Sequence, residues 1–136
     1  QKHSFAIMKL KIFQSFNKWR KRQFDYGDSD CCQFVGFVVH DLTGKDFLAN
    51  FYYKSESAAN RIIADYGSLE TTAATVLGDP QKDIHNLEDG SPVLVEMPYG
   101  QLLGVKVGAV AVCLGKTGFV NIPSKMVKSG WDLCRL

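Results

Sequence analysis

The stretch Tyr26-Gly27-Asp28-Ser29-Asp30-Cys31-Cys32-Gln33-Phe34 sets two thiols directly behind two carboxylates and a hydroxyl. Asp28, Ser29 and Asp30 all favour helix N-caps, so Cys31 is expected in the first turn of a helix. The positive end of a helix dipole favours a thiolate there and lowers its pKa. One reading makes a cysteine of this pair a nucleophile. The other makes both of them small residues at the start of a buried helix, since cysteine is among the most buried residue types. Asp30 needs no role beyond its cap.

A nucleophilic cysteine needs a base, usually a histidine held by a third polar group. The chain has three histidines, His3, His40 and His85. His3 lies in an N-terminal segment that reads as an extension. His40 is nine residues along the same expected helix from Cys31, about 13 Å away at 1.5 Å per residue. His85 sits in the loop before the first expected strand and is the alternative base.

The elements that position these residues read in two blocks. The chain has 136 residues, 46% hydrophobic and 22% charged, which suits one globular domain. Ile12, Phe13, Phe16 and Trp19 recur at helical spacing and predict a helix from Leu10 to Arg22. The basic run Lys18 to Arg22 reads as its solvated face, with binding to an anionic polymer as the alternative. Phe34, Val35, Phe37, Val38 and Val39 predict a buried helix over Cys31 to Leu42, capped by Gly44. An aromatic connector, Lys45 to Lys54, leads to a third helix capped by Ser55 or Ser57 and ending at Gly67. A fourth runs from a Ser68 cap to Gly78. After Pro92 the segments VLVEM, LLGVKVG, AVAVCLG and GFVNIP read as strands of an antiparallel meander, with WDLCRL as a fifth. Helices first and strands after predict an α+β fold with segregated layers.

Several classes fall away on composition. A net charge of +2 gives no argument for nucleic acid. The four cysteines, Cys31, Cys32, Cys113 and Cys134, make no CxxC pair, so neither a metal site nor a cofactor is expected. Adjacent cysteines bridge each other only with strain, and nothing requires a Cys113–Cys134 disulfide, so a reducing compartment is expected. No apolar run approaches the roughly 20 residues of a membrane helix. Residues 1–7 lack signal-peptide features and read as a tag remnant or flexible extension before a natural start at Met8. Residues 8–136 then form a single domain.

The motif FDYGDSDCCQFVGFVV resembles the cysteine motif of the NlpC-type cell-wall peptidases, which are papain-like. Tyr26, Gly27, Asp30 and Cys31 fill its aromatic, glycine and Asp-Cys places. The ordered set KWRKRQFDYG, LTGKDFLANFYY, LGVKVG, GKTGFVNIP and GWDLCRL is similar to a small phage-encoded relative of that family. The resemblance implies N-terminal helices packed on an antiparallel sheet or half-barrel of about five strands. It implies Cys31 as the nucleophile position and Cys32 as a core residue. The family histidine opens a strand that corresponds to LLGVKVG, which puts Leu102 in its place. Leucine accepts no proton, so the general base is lost at that position. The third polar position falls near Asn121. An apolar wall from Leu102 would raise the thiol pKa against the dipole.

Two functions follow. The first is a structural protein of a phage tail tip or baseplate, made in the host cytoplasm and carried in the virion tail. It would act by contacts with tail-hub proteins, with the aromatics of DFLANFYY as a contact surface or as ordinary packing. The second is an active cysteine hydrolase cutting peptidoglycan peptide bonds, with Cys31 attacking and His85 or a residue from another chain as base. A binder of a wall peptide in a degenerate groove is a weaker third.

Overall fold

The computed structural model describes residues 2–21, 31–49, 55–115 and 118–136. The caps expected at Asp28, Ser29 and Asp30 lie outside them, as do residues 50–54 of the aromatic connector. Four helices come first: α1 (Lys2–Arg20), α2 (Cys31–Thr43), α3 (Glu56–Tyr66) and α4 (Leu69–Leu77). α1 starts at Lys2, well before the Leu10 boundary expected from periodicity. Ile12, Phe16 and Trp19, at i, i+4 and i+7, form its buried face, whereas Phe13 is half exposed.

The short helices follow their caps. The Ser55 side chain accepts from the Ala58 N–H at 3.1 Å. Ser68 accepts from the Thr71 N–H at 3.1 Å, and the Thr71 hydroxyl oxygen accepts the Ser68 N–H at 2.8 Å, a reciprocal cap. Gly44, Gly67 and Gly78 close α2, α3 and α4 at φ of 80°, 100° and 92°, a region in which side chains other than glycine are strained.

The strands are β1 (Pro92–Met97), β2 (Gly100–Val107), β3 (Val110–Gly115), β4 (Gly118–Pro123) and β5 (Val127–Gly130). They form one antiparallel sheet in the order β4-β3-β2-β1-β5. The fifth strand therefore precedes the Trp131–Leu136 segment read as a strand. Trp131 instead turns inward, 2% exposed, and Asp132 caps a 3-10 turn at Leu133–Arg135.

The connection from β4 to β5 forces the sheet to curl. These strands lie at opposite edges, four spacings apart, or about 19 Å in a flat sheet. Only the 3-10 turn Ser124–Met126 joins them. The four residue steps from Pro123 to Val127 span at most about 14 Å. The two edges must therefore approach each other, as in a half-barrel.

Strand alternation then sorts the core into two clusters. Leu94, Leu103, Val105 and Val112 face the helices and pack with Ile12, Phe16, Trp19, Phe34 and Val38. Val93, Val95, Ala111, Cys113 and Ile122 fill the other face, capped by Leu87.

The helical layer is tied to β5 through Glu70. The Ser129 hydroxyl donates to Glu70 Oε2 at 2.8 Å, and Lys128 Nζ donates to Oε1 at 3.3 Å. The Ser129 bond, followed by Lys128, holds the Glu70 pKa below its ordinary value, with burial opposing in part. A depressed folded-state pKa gives stability that is present above the unfolded pKa and lost as pH falls through the folded one. Glu70→Gln is therefore expected to lower stability at neutral pH. The Glu70 side chain is 24% exposed, and solvent screening keeps the loss under about 1 kcal/mol. Urea titrations across the acid range check this: the gap between wild type and variant should close below the folded pKa of Glu70.

Candidate functional site

α2 brings the two adjacent thiols onto the sheet. Its apolar residues Phe34, Val35, Val38 and Val39 are buried, and it packs most extensively against α1, β2 and β3. Both Cys31 and Cys32 are half-buried. Cys32 packs against the helix-side cluster, in keeping with the core role expected for it. It also lines an apolar cavity of about 70 Å³ between α2, α3 and α4. Among the described residues that line the cavity, only Cys32 and Thr72 carry polar side-chain atoms.

The described part of the aromatic connector forms one wall of this cavity. Phe47 and Leu48 both line it, so these two residues pack rather than project. Gly36 makes room for Leu48: a Cβ at position 36 would lie 2.2 Å from Leu48 Cδ1. The missing side chain on α2 is thus what lets the connector lie against the helix.

A third thiol lies on the other face of the sheet. Cys113 on β3 is 1% exposed and stands opposite Gly104 on β2. A Cβ on Gly104 would lie 2.7 Å from the Cys113 Sγ. Burial pushes the Cys113 thiol up to about 12, and the nearby charge of Cys31 adds to the rise. The register was available in the sequence. Gly108 and Ala109 form a two-residue turn with Gly108 at φ 59°, and counting back from it pairs 104 with 113.

Leu102, at the position where the resemblance puts the family histidine, packs against the cluster of Val93, Val95, Ala111 and Cys113. It lies two residues from Gly104 and so shares a face with Cys113. Asn121 is exposed on the edge strand β4, paired with Val112. His85 is exposed in the 3-10 turn Ile84–Asn86, its backbone N–H donating to Asp83 at 3.1 Å. Its neighbours Ile84 and Leu87 turn toward the sheet, while His85 itself faces solvent. His40 is exposed in the last turn of α2, at the far end of that helix from Cys31. The structure thus places Leu102 and Cys113 together on the sheet face away from the helices, with the charge of Cys31 acting on Cys113 alone of that cluster's titratable groups, and leaves Asn121, His40 and His85 at the surface.

Cys134 stands apart from this region. Its thiol donates to Glu88, which with burial pushes it up to about 11. Glu88, Asp132 and Cys134 present donor atoms within 4.8 Å of one another. Each has a use already: Glu88 takes the thiol hydrogen bond, and Asp132 caps the Cys134 N–H at 3.4 Å. At neutral pH both Cys113 and Cys134 are therefore expected to alkylate slowly, the first for burial and the second for lack of thiolate. Glu88→Gln should speed Cys134 labelling roughly tenfold, because reactivity follows thiolate fraction with a partial offset from nucleophilicity. Iodoacetamide labelling followed by peptide mass spectrometry reads both sites.

A family model described as a domain of unknown function (DUF6950) matches residues 7–133. No curated protein matches the chain.

Proposed function

We propose, for a chain that belongs to the DUF6950 family, a structural role in a phage tail tip or baseplate. In this reading the protein has a papain-like, NlpC-type fold whose catalytic pair is incomplete, and it acts through contacts with tail-hub proteins. One observation carries the loss of catalysis. Leu102, at the position that resembles the family histidine, is an aliphatic side chain among Val93, Val95, Ala111 and Cys113. That position accepts no proton, so it supplies no general base. The tail assignment rests on the ordered resemblance of the Asp-Cys-Cys, LGVKVG, GKTGFVNIP and GWDLCRL segments to a phage-encoded relative.

The test has two arms. Purified protein and a Cys31→Ala variant are incubated with peptidoglycan fragments and with a thiol-directed electrophile. No cleavage, and no fast labelling attributable to Cys31, is the expected result. Cleavage that disappears with Cys31→Ala would sink the reading in favour of an active peptidoglycan hydrolase. In the second arm, antibody labelling of purified phage particles that encode the protein should mark the tail tip. Its absence from finished particles would overturn the structural role.

A further inference from the structure

The outward face of α1 is not explained by the fold. Ile7, Leu10 and Phe13 are 49%, 57% and 50% exposed. They make up half of the strongly exposed large apolar side chains among the described residues, which also include Tyr66, Tyr99 and Val120. At 3.6 residues per turn, Leu10 is central, and Ile7 and Phe13 lie about 60° to either side of it. Lys9 and Lys11 flank this stripe at about 100° on each side. The opposite side of the helix carries Ile12, Phe16 and Trp19, each at most 4% exposed. α1 is thus anchored by one apolar face and offers a second to solvent, bordered by cations.

Charge decides what can cover that second face. α1 contains Lys2, Lys9, Lys11, Lys18 and Arg20 and no acidic residue. Lys18 is paired with Asp41 at 3.1 Å, whereas Lys9 and Lys11 meet no carboxylate among the described residues. A second copy of the chain would bring the same cations against these, so self-pairing through α1 is opposed. A rigid protein partner would find little to grip. From Ile7 to Phe13 the stripe rises only about 9 Å, and a stable interface needs about 800 Å² on each partner. A bilayer surface has neither problem. It needs no matched shape, it takes apolar side chains at the acyl boundary, and its anionic headgroups receive lysines that extend sideways from the helix.

We propose that the Ile7–Leu10–Phe13 face of α1, flanked by Lys9 and Lys11, docks the domain flat onto an anionic lipid bilayer. The contact is interfacial, since no helix among the described residues is long and apolar enough to cross a membrane. The opposite face of α1 keeps the domain attached above the surface. This is independent of the tail assignment and of Cys31.

The experiment is co-sedimentation of the full chain with vesicles of phosphatidylcholine alone and of phosphatidylcholine mixed with phosphatidylglycerol. Binding to the mixed vesicles is expected to be at least about tenfold tighter, and to weaken with added salt. The double variant Leu10→Ser/Phe13→Ser should lose about tenfold or more of that binding. Lys9→Glu/Lys11→Glu should do the same, by charge. All four positions are surface ones, so unchanged circular dichroism and thermal midpoint certify the fold. A Leu10→Trp variant separates insertion from adsorption: its emission should shift to the blue only with the mixed vesicles. Absence of binding to the mixed vesicles overturns the proposal. Binding that ignores Leu10→Ser/Phe13→Ser and gives no blue shift also overturns it, as bare adsorption of a basic surface. Concentration-dependent dimerisation abolished by Leu10→Ser, in place of lipid binding, assigns the face to a second copy and overturns it too.

Discussion

Replacing Trp131 with alanine is expected to cost about 3–5 kcal/mol, the usual range for emptying a buried large aromatic site. Trp131 is 2% exposed, and its indole Nε1–H donates to the Gly78 carbonyl at 2.7 Å. That bond joins the residue after β5 to the end of α4, across the two layers of the fold. Its backbone N–H also donates to the Pro92 carbonyl at 2.9 Å, holding the chain beside β1. Loss of the ring leaves a cavity in the helix-side cluster and removes the donor from Gly78. A domain of this size is stable by only about 5–15 kcal/mol, so Trp131→Ala will be marginal at ambient temperature. Trp131→Phe separates the two contributions. It keeps most of the ring packing but leaves the Gly78 carbonyl without the indole, at a cost of about 1–3 kcal/mol. Urea midpoints of the three proteins, with m-values compared, give the check. A Trp131→Ala midpoint near that of wild type would mean that the layers are held together elsewhere.

Phe34→Ala is expected to be of the same order, about 3–5 kcal/mol. Phe34 is fully buried and meets three rings on two other elements. Its centroid lies 5.4 Å from Phe16 and 5.6 Å from Trp19 on α1, and 5.1 Å from Phe119 on β4. Tilted and edge-on ring pairs at these separations add about 0.5–1.5 kcal/mol each beyond their area. Arg20 stacks over the far partner, its guanidinium carbon 4.7 Å from the centre of the Phe119 ring. Phe34 is therefore the point at which α1, α2 and the sheet edge are joined. Its loss should loosen α1 in particular. Hydrogen exchange would show this as earlier exchange along α1 than along β1 and β2. Uniform exchange across both would mean that the aromatic group is not the clamp described here.

Much of the fold was legible in the chain because its signals are local. Ser55, Ser68, Gly44, Gly67 and Gly78 mark helix ends through groups a few residues away. The strands after Pro92 were legible for the same reason, since alternation and glycine turns need only neighbouring residues. The exceptions were also physical. The Trp131 segment looked like a strand by composition, but burial and a backbone partner in Gly78 drew it into a turn. Phe13 fitted the helical spacing of the core, yet it points away from it; spacing identifies a helix without saying which of two apolar stripes meets the protein.

The candidate site divides along the same line. The sequence by itself determined that Cys31 begins a buried helix and that a leucine stands at position 102. It also determined the order of helices and strands, because each depends on contacts within a few residues. Only the tertiary structure decided that the charge of Cys31 acts on Cys113, since that needs the β2–β3 register and the seating of α2 together. Only it decided that the sheet curls until β5 meets β1, because a connection of three residues cannot span a flat sheet. The exposure of Ile7, Leu10 and Phe13 was decided there as well: the core accepted one side of α1 and had no surface left for the other.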